Sequence, residues 1–513
     1  MGSVVRAVEH TAPREACGVF GIYAPGRNVA PIVFDGLFAL QHRGQESAGM
    51  AVSDGPTMMV MKDMGLVTQV FNEYKLASLV GHLAVGHTRY STTGSSTWHN
   101  AQPVYRQVGG AEFALGHNGN LTNTEELAAS VGMLPGMATS DSDLIAELVA
   151  RELEGAGAGA SLADVLLRVL PRLEGAFSLV LASRDQLFGA RDPHGFRPLC
   201  LGKLDDGWVL ASETPALDIA GAHFVREVDP GEVLVIGPAG CESSHPWPAS
   251  EVEPRLCLFE FVYLARPDSR LYGQEVHAAR VRMGELLAEQ APALADMVVG
   301  VPDAGMPAAE GYSRRSAIPF GQGLVKNRYI GRTFINPDPR QRALGVRRKL
   351  NPLREAIAGK RLVVVDDSIV RGTTTRAMVA MLRSAGAREV HLRISSPPYR
   401  WPCFYGLDTG TRTELLAADL EVGEICDYLG ADSLAYLSLE SLKKATGVPG
   451  AGFCDACLTG DYPVAVPARL SKAVLERPAS YGESGGPVAG MPVAGTSPGV
   501  AATTGAVHGG PNG

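Results

Sequence analysis

"RLVVVDDSIVRGTTT" (Arg361–Thr375) is an apolar run that stops at two adjacent acids and passes into a loop rich in Ser, Arg, Gly and Thr. It reads as a strand, a polar loop and the opening of a helix. Free backbone N–H groups at that helix start, with the hydroxyls of Ser368, Thr373, Thr374 and Thr375, make a cradle for a phosphate. Asp366 and Asp367 lie at the strand's C-terminal edge and face the other end of such a ligand. Carboxylates there accept hydrogen bonds from sugar hydroxyls or support a hydrated Mg²⁺. Nucleoside triphosphatases also end a strand in acids, but the chain has no G-x-x-x-x-G-K-[ST] to serve as the partner motif.

The surrounding chain has a matching texture. "EVHAARVRMGELLAEQAPALA" has helical periodicity, "DMVVGVPDAG" is an apolar strand running into a turn, and "REVHLRIS" is a further strand. Strands and helices in alternation imply a parallel sheet with helices on both faces. Between the two strand-end loops, Lys326–Arg354 carries nine Lys or Arg against one Asp in a chain of net charge -8. A solvated basic face is one reading of that segment; its place between two loops, with its Gly and Pro content, favours a lid that closes over an anionic substrate.

"VVVDDSIVRGTT" resembles the 5-phosphoribosyl-1-pyrophosphate (PRPP) signature of type I phosphoribosyltransferases. The resemblance implies that Asp366 and Asp367 address the ribose hydroxyls, while Ser368, Arg371, Gly372, Thr373, Thr374 and Thr375 wrap the 5'-phosphate. "VGVPDAG" (Val299–Gly305) is similar to the family's pyrophosphate loop, with Asp303, Ala304 and Gly305 at its strand end. One Mg²⁺ per subunit is implied at Asp366, Asp367 and Ser368, with Asp303 as a further candidate.

The first half reads differently, as short β-like runs broken by Gly, Asn and Asp ("ALGHNGNL", "FSLVLAS", "GWVLASET") with a few helices such as "SDSDLIAELVARELEG". "CGVFGIYA", from Cys17, is a strand whose glycines call for close backbone approach. Taken alone, Cys17 is a small buried cysteine at a strand end. Together, "ACGVFGI", "QHRGQESAGM", "GHTRYSTTG", "LGHNGNLTN" and "TSDSD" resemble the N-terminal-nucleophile glutaminases, which fold as αββα sandwiches and whose cysteine is residue one of the mature chain. Residues 1–16 would then be a propeptide, and its removal is a chemical requirement: a free α-amine can act as base for its own thiol, whereas an amide nitrogen cannot. The resemblance gives Cys17 the nucleophile's role, Asn118 and Gly119 the oxyanion donors, Arg89 the substrate carboxylate and Asp141 its ammonium. Arg43 and His87, inside the same motifs, read as structural.

Composition sets the remaining bounds. At 513 residues the chain has room for two to three domains; its acidic balance argues against general nucleic-acid binding, and no apolar run is long enough to span a membrane. Eight cysteines with no secretory signal do not form a secreted disulfide framework, so the expected compartment is the cytoplasm. The Pro/Ser/Gly-rich 237–256 marks a boundary, giving domains at 17–245 and 255–463, and 478–513 is too poor in large apolar residues to fold, hence a disordered tail. "GAGAGA" (Gly155–Ala160) follows a helix rather than a strand, and "GESGG" (Gly482–Gly486) falls in the tail, so neither carries its usual motif meaning.

A glutaminase ahead of a PRPP site resembles the glutamine PRPP amidotransferases, over Cys17 to Pro463. The two rival readings, a different glutamine amidotransferase and a non-enzymatic PRPP-sensing regulator, each explain only one half of the chain. The resemblance implies synthesis of 5-phosphoribosylamine from glutamine and PRPP, the committed step of purine formation, with ammonia channelled between sites. It also implies purine nucleotides as feedback inhibitors, a homotetramer or dimer, and no nucleic-acid or membrane partner. "FCDACLTGDYP" supplies Cys454 and Cys457 as C-x-x-C, which alone fits a redox pair or half a zinc site. With Cys257 in "RLCLFEF" and Cys403 in "RWPCFYG", it resembles the family subgroup that carries one [4Fe-4S] cluster per subunit, zinc being the alternative. Cys200, Cys241 and Cys426 read as inert.

Overall fold

The computed structural model describes residues 17–90, 96–133, 138–157, 160–327, 350–407, 409, 411–450 and 452–466. The leader, the tail and the 328–349 part of the basic segment lie outside them. The first half is two stacked antiparallel sheets. One has seven strands, in the order His223–Glu227, Cys200–Lys203, Trp208–Ala211, Gly18–Tyr23, Leu83–Arg89, Ser47–Ser53 and Met58–Met64. The other has six, in the order Gly240–Ser244, Val233–Gly237, Leu187–Arg191, Gly175–Ala182, Ala111–Leu121 and Val104–Val108.

The two-residue period of a strand accounts for the layering. In Gly18–Tyr23, Val19 and Tyr23 enter the core between the sheets, with Val85, Val180, Leu201 and Leu234. Phe20 and Ile22 point to the opposite side and pack with helix Ala30–Ala39. Gly21 shares the inner face, where an added Cβ would stand 2.5 Å from Val180 Cγ1, so the sheets approach too closely for any other residue. Helices Asp141–Ala156 and Leu162–Val169 cover the outer face of the second sheet. The result is an αββα sandwich. The stretch 237–256 is not all linker: Gly240–Ser244 pairs antiparallel with Val233–Gly237 in register Ile236↔Cys241 and forms the sheet's edge.

The second half is a parallel sheet ordered Met297–Gly300, Arg361–Asp366, Glu389–Ile394, Ser433–Tyr436. Val363 and Val365 pack on one side with helices Val276–Gln290 and Met306–Ser316, and Leu362 and Val364 on the other with Thr373–Ser384 and Val422–Leu429. Burial on both faces is why this strand is a continuous apolar run rather than an alternating one. Among the described residues no helix is long and apolar enough to cross a membrane.

Candidate functional site

Cys17 stands at the head of its strand, buried, with its thiol donating to the Tyr90 carbonyl at 3.2 Å and accepting from the Tyr90 N–H at 3.4 Å. It opens onto a small polar cavity lined by Arg89, Gln102, His117, Gly119, Asp141 and Ser142. Burial pushes the Cys17 thiol up to about 11, against the opposing pull of the Tyr90 N–H and the Arg89 charge. As drawn, the sulfur is therefore a neutral thiol, not a thiolate.

Local sequence sets the walls. Ser140 caps helix Asp141–Ala156 by accepting from the Asp143 N–H at 3.2 Å, which fixes Asp141 as the first helical residue. The Asp141 carboxylate accepts from its neighbours Ser142 N–H at 2.8 Å and Leu121 N–H at 3.2 Å. Strand Ala111–Leu121 pairs with Val104–Val108 only as far as Leu115, so its last residues have a ladder on one edge alone. On the open edge the His117 N–H donates to Gln102 Oε1 at 2.7 Å and the Leu121 N–H to Asp141. By the strand's alternation the Gly119 N–H, midway between, faces the same edge and hence the cavity. Asn118 is fully buried, and among the described residues neither its side-chain oxygen nor its nitrogen has a hydrogen-bond partner. A buried, unsatisfied amide is costly unless a ligand completes it.

Sequence reading missed Gln102, which no motif flagged, and the roles of Ser142 and His117, which lie inside "TSDSD" and "LGHNGNLTN". His117 Nε2 faces the Ala176 carbonyl at 3.4 Å and must carry the proton, since a carbonyl only accepts. Nδ1 then accepts from Ser142 Oγ at 3.1 Å, Ser142 accepts from Gln102 Nε2 at 2.9 Å, and Gln102 Oε1 closes the ring on the His117 N–H. His87, held neutral by burial that drives its pKa down to about 3, donates from Nε2 to the His117 carbonyl at 3.0 Å. Both ends of the peptides leading into Asn118 are thereby fixed.

In the second half, strand Arg361–Asp366 ends at the acid pair and Gly372 starts helix Thr373–Ser384. Burial raises Asp366 well above the usual carboxylate range, reinforced by the Asp367 charge; Asp367 rises to about 6, also through burial, with Ser368 and Arg280 pulling it down. Ser368 Oγ donates to Asp367 at 2.5 Å. The structure brings the "VPDAG" loop alongside: the Val301 N–H donates to the Val365 carbonyl at 2.9 Å, and a Cβ on Gly305 would stand 3.1 Å from Asp366 Cα. Ala304 lies in the same turn. Asp303 is exposed and ion-paired with Lys326, where the basic segment begins, and Arg371 is ion-paired with Glu414. Thr373, Thr374 and Thr375 form the helix's first turn, with Thr375 buried.

The four cysteines converge. Cys257 and Cys454 are register partners in a short parallel ladder, Cys457 follows in helix Ala456–Thr459, and Cys403 Sγ accepts from the Tyr405 N–H at 3.4 Å. None of the four is paired in a disulfide among the described residues. Burial raises Cys257 to about 11 and Cys457 well above its ordinary value, and in Cys457 the other three sulfurs add to the shift. Among the described residues no three His, Cys, Asp or Glu side chains are arranged to hold a single metal ion. Cys200 and Cys241 lie elsewhere, in or against the glutaminase-side cores.

Arg43, fully buried, pairs with Glu213 of its own half and with Glu260 of the other at 2.5 Å, and Arg197 reaches Glu260 at 3.2 Å. Burial alone would raise Glu213, yet Arg43 and His42 hold it well below its ordinary value. The structural reading of Arg43 thus gains a purpose that sequence did not suggest: it pins the two halves together.

A thiol at a strand head above an Asp/Arg-lined amino-acid cavity, joined to a parallel sheet with an acid-ended phosphate loop, defines a glutamine amidotransferase coupled to a phosphoribosyltransferase. Residues 87–219 match the glutamine amidotransferase domain model and 277–395 the phosphoribosyl transferase domain model. The chain belongs to the amidophosphoribosyltransferase family. It is 52% identical over 480 residues to the amidophosphoribosyltransferase of Mycobacterium tuberculosis, covering 91% of this chain and 90% of that one. To that of Synechococcus elongatus it is 50% identical over 472 residues, covering 90% and 94%. Two solved structures share the fold. One, described as the allosteric regulatory enzyme of purine biosynthesis, aligns with TM-score 0.83 and 42% identity, covering 90% of this chain and 99% of that one. The other, the glutamine PRPP amidotransferase of B. subtilis complexed with ADP and GMP, aligns with 0.82 and 41%, covering 90% and 100%.

Proposed function

We propose that the chain hydrolyses glutamine at Cys17 and passes the ammonia to PRPP, giving 5-phosphoribosylamine, glutamate and pyrophosphate, in the cytoplasm, as the first committed step of purine synthesis. The observation that carries the glutaminase half is the buried, unpartnered Asn118 amide beside a cavity that holds Cys17, Arg89 and Asp141. Cys17 attacks the carboxamide carbon and expels ammonia, leaving a thioester that water cleaves to glutamate. The Asn118 side chain and the Gly119 N–H receive the oxyanion; Arg89 takes the substrate carboxylate in a planar fork, and Asp141 its ammonium. A thiol at about 11 needs a base, which the α-amine of Cys17 supplies once residues 1–16 are removed.

At the second site Asp366 and Asp367 hold the ribose hydroxyls, Ser368 and Arg371–Thr375 the 5'-phosphate, and Asp303–Gly305 the pyrophosphate. Two adjacent carboxylates, both lifted by burial and Asp366 further by the Asp367 charge, are a donor set suited to a hard cation. Asp366, Asp367 and Ser368, with Asp303, would hold Mg²⁺, which neutralises the leaving pyrophosphate. The remaining domain bounds are 17–245 and 255–463, with Lys326–Arg354 as a lid.

Cys257, Cys403, Cys454 and Cys457 are a four-thiol donor set of the kind a [4Fe-4S] cluster takes, with zinc as the alternative. The four stand close enough that Cys403, Cys257 and Cys454 all raise the Cys457 thiol. The transfer moves no electrons, so the cluster's contribution is structural. Purine nucleotides as inhibitors are supported by the ADP and GMP bound to the B. subtilis relative, and a homotetramer or dimer is the expected assembly.

One anaerobic preparation tests the reading. Intact mass of the active enzyme should show Cys17 as residue one, and analysis should find about four iron and four sulfide per chain. Full activity with the leader attached overturns the amine as base; stoichiometric zinc without sulfide overturns the cluster.

A further inference from the structure

We propose that the Cys403–Gly406 loop of the phosphoribosyltransferase half is a positioning element for the glutaminase oxyanion site, acting through Asn120 and Gly406. The inference rests on reading Asn118 and Gly119 as the oxyanion donors. Asn120, the next residue on that strand, donates from Nδ2 to the Phe404 carbonyl at 2.9 Å, across the two halves of the chain. Gly406 lies directly on Gly119: a Cβ built there would stand 3.2 Å from Gly119 Cα and 3.1 Å from Arg197 Nε. Gly406 has φ +107°, and Gly119 has φ +155° with a would-be Cβ 2.0 Å from the Ala176 carbonyl oxygen. Neither residue could carry a side chain, and the two backbones meet because neither does.

The loop is held as firmly as the strand it presses on. The Tyr405 ring stacks on Phe196 at 4.4 Å, and its hydroxyl donates to the Val464 carbonyl at 2.6 Å. Arg197, fully buried and tied to Glu260, donates from Nε to the Tyr405 carbonyl at 2.9 Å. The Tyr405 N–H reaches Cys403 Sγ, so the loop begins at one of the four cysteines.

The strand needs this support. An oxyanion hole works only where its donors are fixed before charge develops, and sub-ångström errors are costly. Toward the cavity the open edge of Gly116–Leu121 is pinned by Gln102 and Asp141. The Cys403–Gly406 loop supplies a third point of restraint at residues 119 and 120 themselves. Its failure should lower the rate of the chemical step more than it loosens glutamine, whose carboxylate and ammonium are held by the side chains of Arg89 and Asp141 on other elements.

The test compares three variants of the full, cluster-loaded enzyme, each measured for glutamine hydrolysis and for ammonia-dependent synthesis. Asn118→Ala probes the oxyanion reading itself and should lower glutaminase kcat about 10²–10³-fold. Gly406→Ala and Asn120→Ala should lower it about tenfold and about threefold, with KM for glutamine within about twofold. Ammonia-dependent synthesis and iron content should stay at the wild-type level in both, which also establishes that they fold. If Asn118→Ala is harmless, the oxyanion reading fails. If it is damaging while Gly406→Ala and Asn120→Ala leave kcat intact, raise KM instead, or depress both nitrogen routes equally, the positioning role is wrong and the oxyanion reading survives.

Discussion

Burial lifts the reactive groups at both active sites, and the two sites answer it by different routes. At the glutaminase end burial keeps the Cys17 sulfur protonated, with a pKa of about 11. At the phosphoribosyl end burial raises both carboxyls, Asp366 well above the usual range and Asp367 to about 6. The thiol lacks a base, and in the proposed mechanism a covalent change in the chain supplies it for good. There too the acids would be completed by a cation that arrives with each PRPP and leaves with each pyrophosphate. On that reading one site is switched on once and the other is completed at every turnover, in keeping with a first site walled by buried hydrogen bonds and a second in which Asp303 is exposed and paired to Lys326.

The sharpest way to break this division is to disable each site in turn. Cys17→Ser should lower glutamine-dependent synthesis at least about a thousandfold, since the weaker nucleophile has no comparable route to the acyl-enzyme. Synthesis from ammonia at high concentration should persist. Asp366→Ala should do the reverse, depressing synthesis from either nitrogen source while basal glutamine hydrolysis continues. If Cys17→Ser in a folded protein removed the ammonia reaction as thoroughly, the two sites would not be separable.

How much of this could be read in the chain differs between the two halves for a physical reason. The PRPP loop is local: Asp366 to Thr375 are consecutive, and the strand, turn and helix that present them are built from the same residues. The αββα layering came with the motif resemblance rather than from the residues alone, and the alternation in "GVFGIY" is what realises it. What the sequence concealed are contacts between distant stretches. Gln102 lies in no motif and Ser142 sits in "TSDSD" with no sign of its partner, yet together they close the ring on His117. Glu260 sits in an apolar stretch and gives no sign that it neutralises Arg43 and Arg197. The strand Gly240–Ser244 hid in a linker-like composition because an edge strand needs few apolar residues.

A second test sharpens the contrast at the thiol. With the leader retained and a pKa near 11, about one Cys17 in a thousand is thiolate at pH 8, against roughly a quarter for an ordinary thiol. Iodoacetamide labelling of Cys17, followed by peptide mapping, should therefore be slow and should climb about tenfold per pH unit up to pH 10. After leader removal the amine can take the proton, and labelling at pH 8 should rise by about a hundredfold. Equal rates in the two forms would show that the amine does not gate the thiol.

The smallest effect is expected at the acid pair, and it has a definite sign. Asp367 titrates near 6 in the folded protein and near 3.9 in an unfolded chain, so the folded state binds protons more tightly between those values. Its contribution to stability is fully present below about pH 4 and is lost as the pH rises through about 6. Bound PRPP with Mg²⁺ favours the ionised pair and opposes that loss. The rise in melting temperature on adding PRPP and Mg²⁺ should thus grow from pH 5 to pH 7. The substrate's own phosphate also titrates near pH 6, so the wild type alone cannot assign the effect. Asp367→Asn separates the two, because it keeps the substrate's titration and removes the protein's. The pH-dependent part of the shift should shrink in that variant, and an unchanged profile would assign it to PRPP alone.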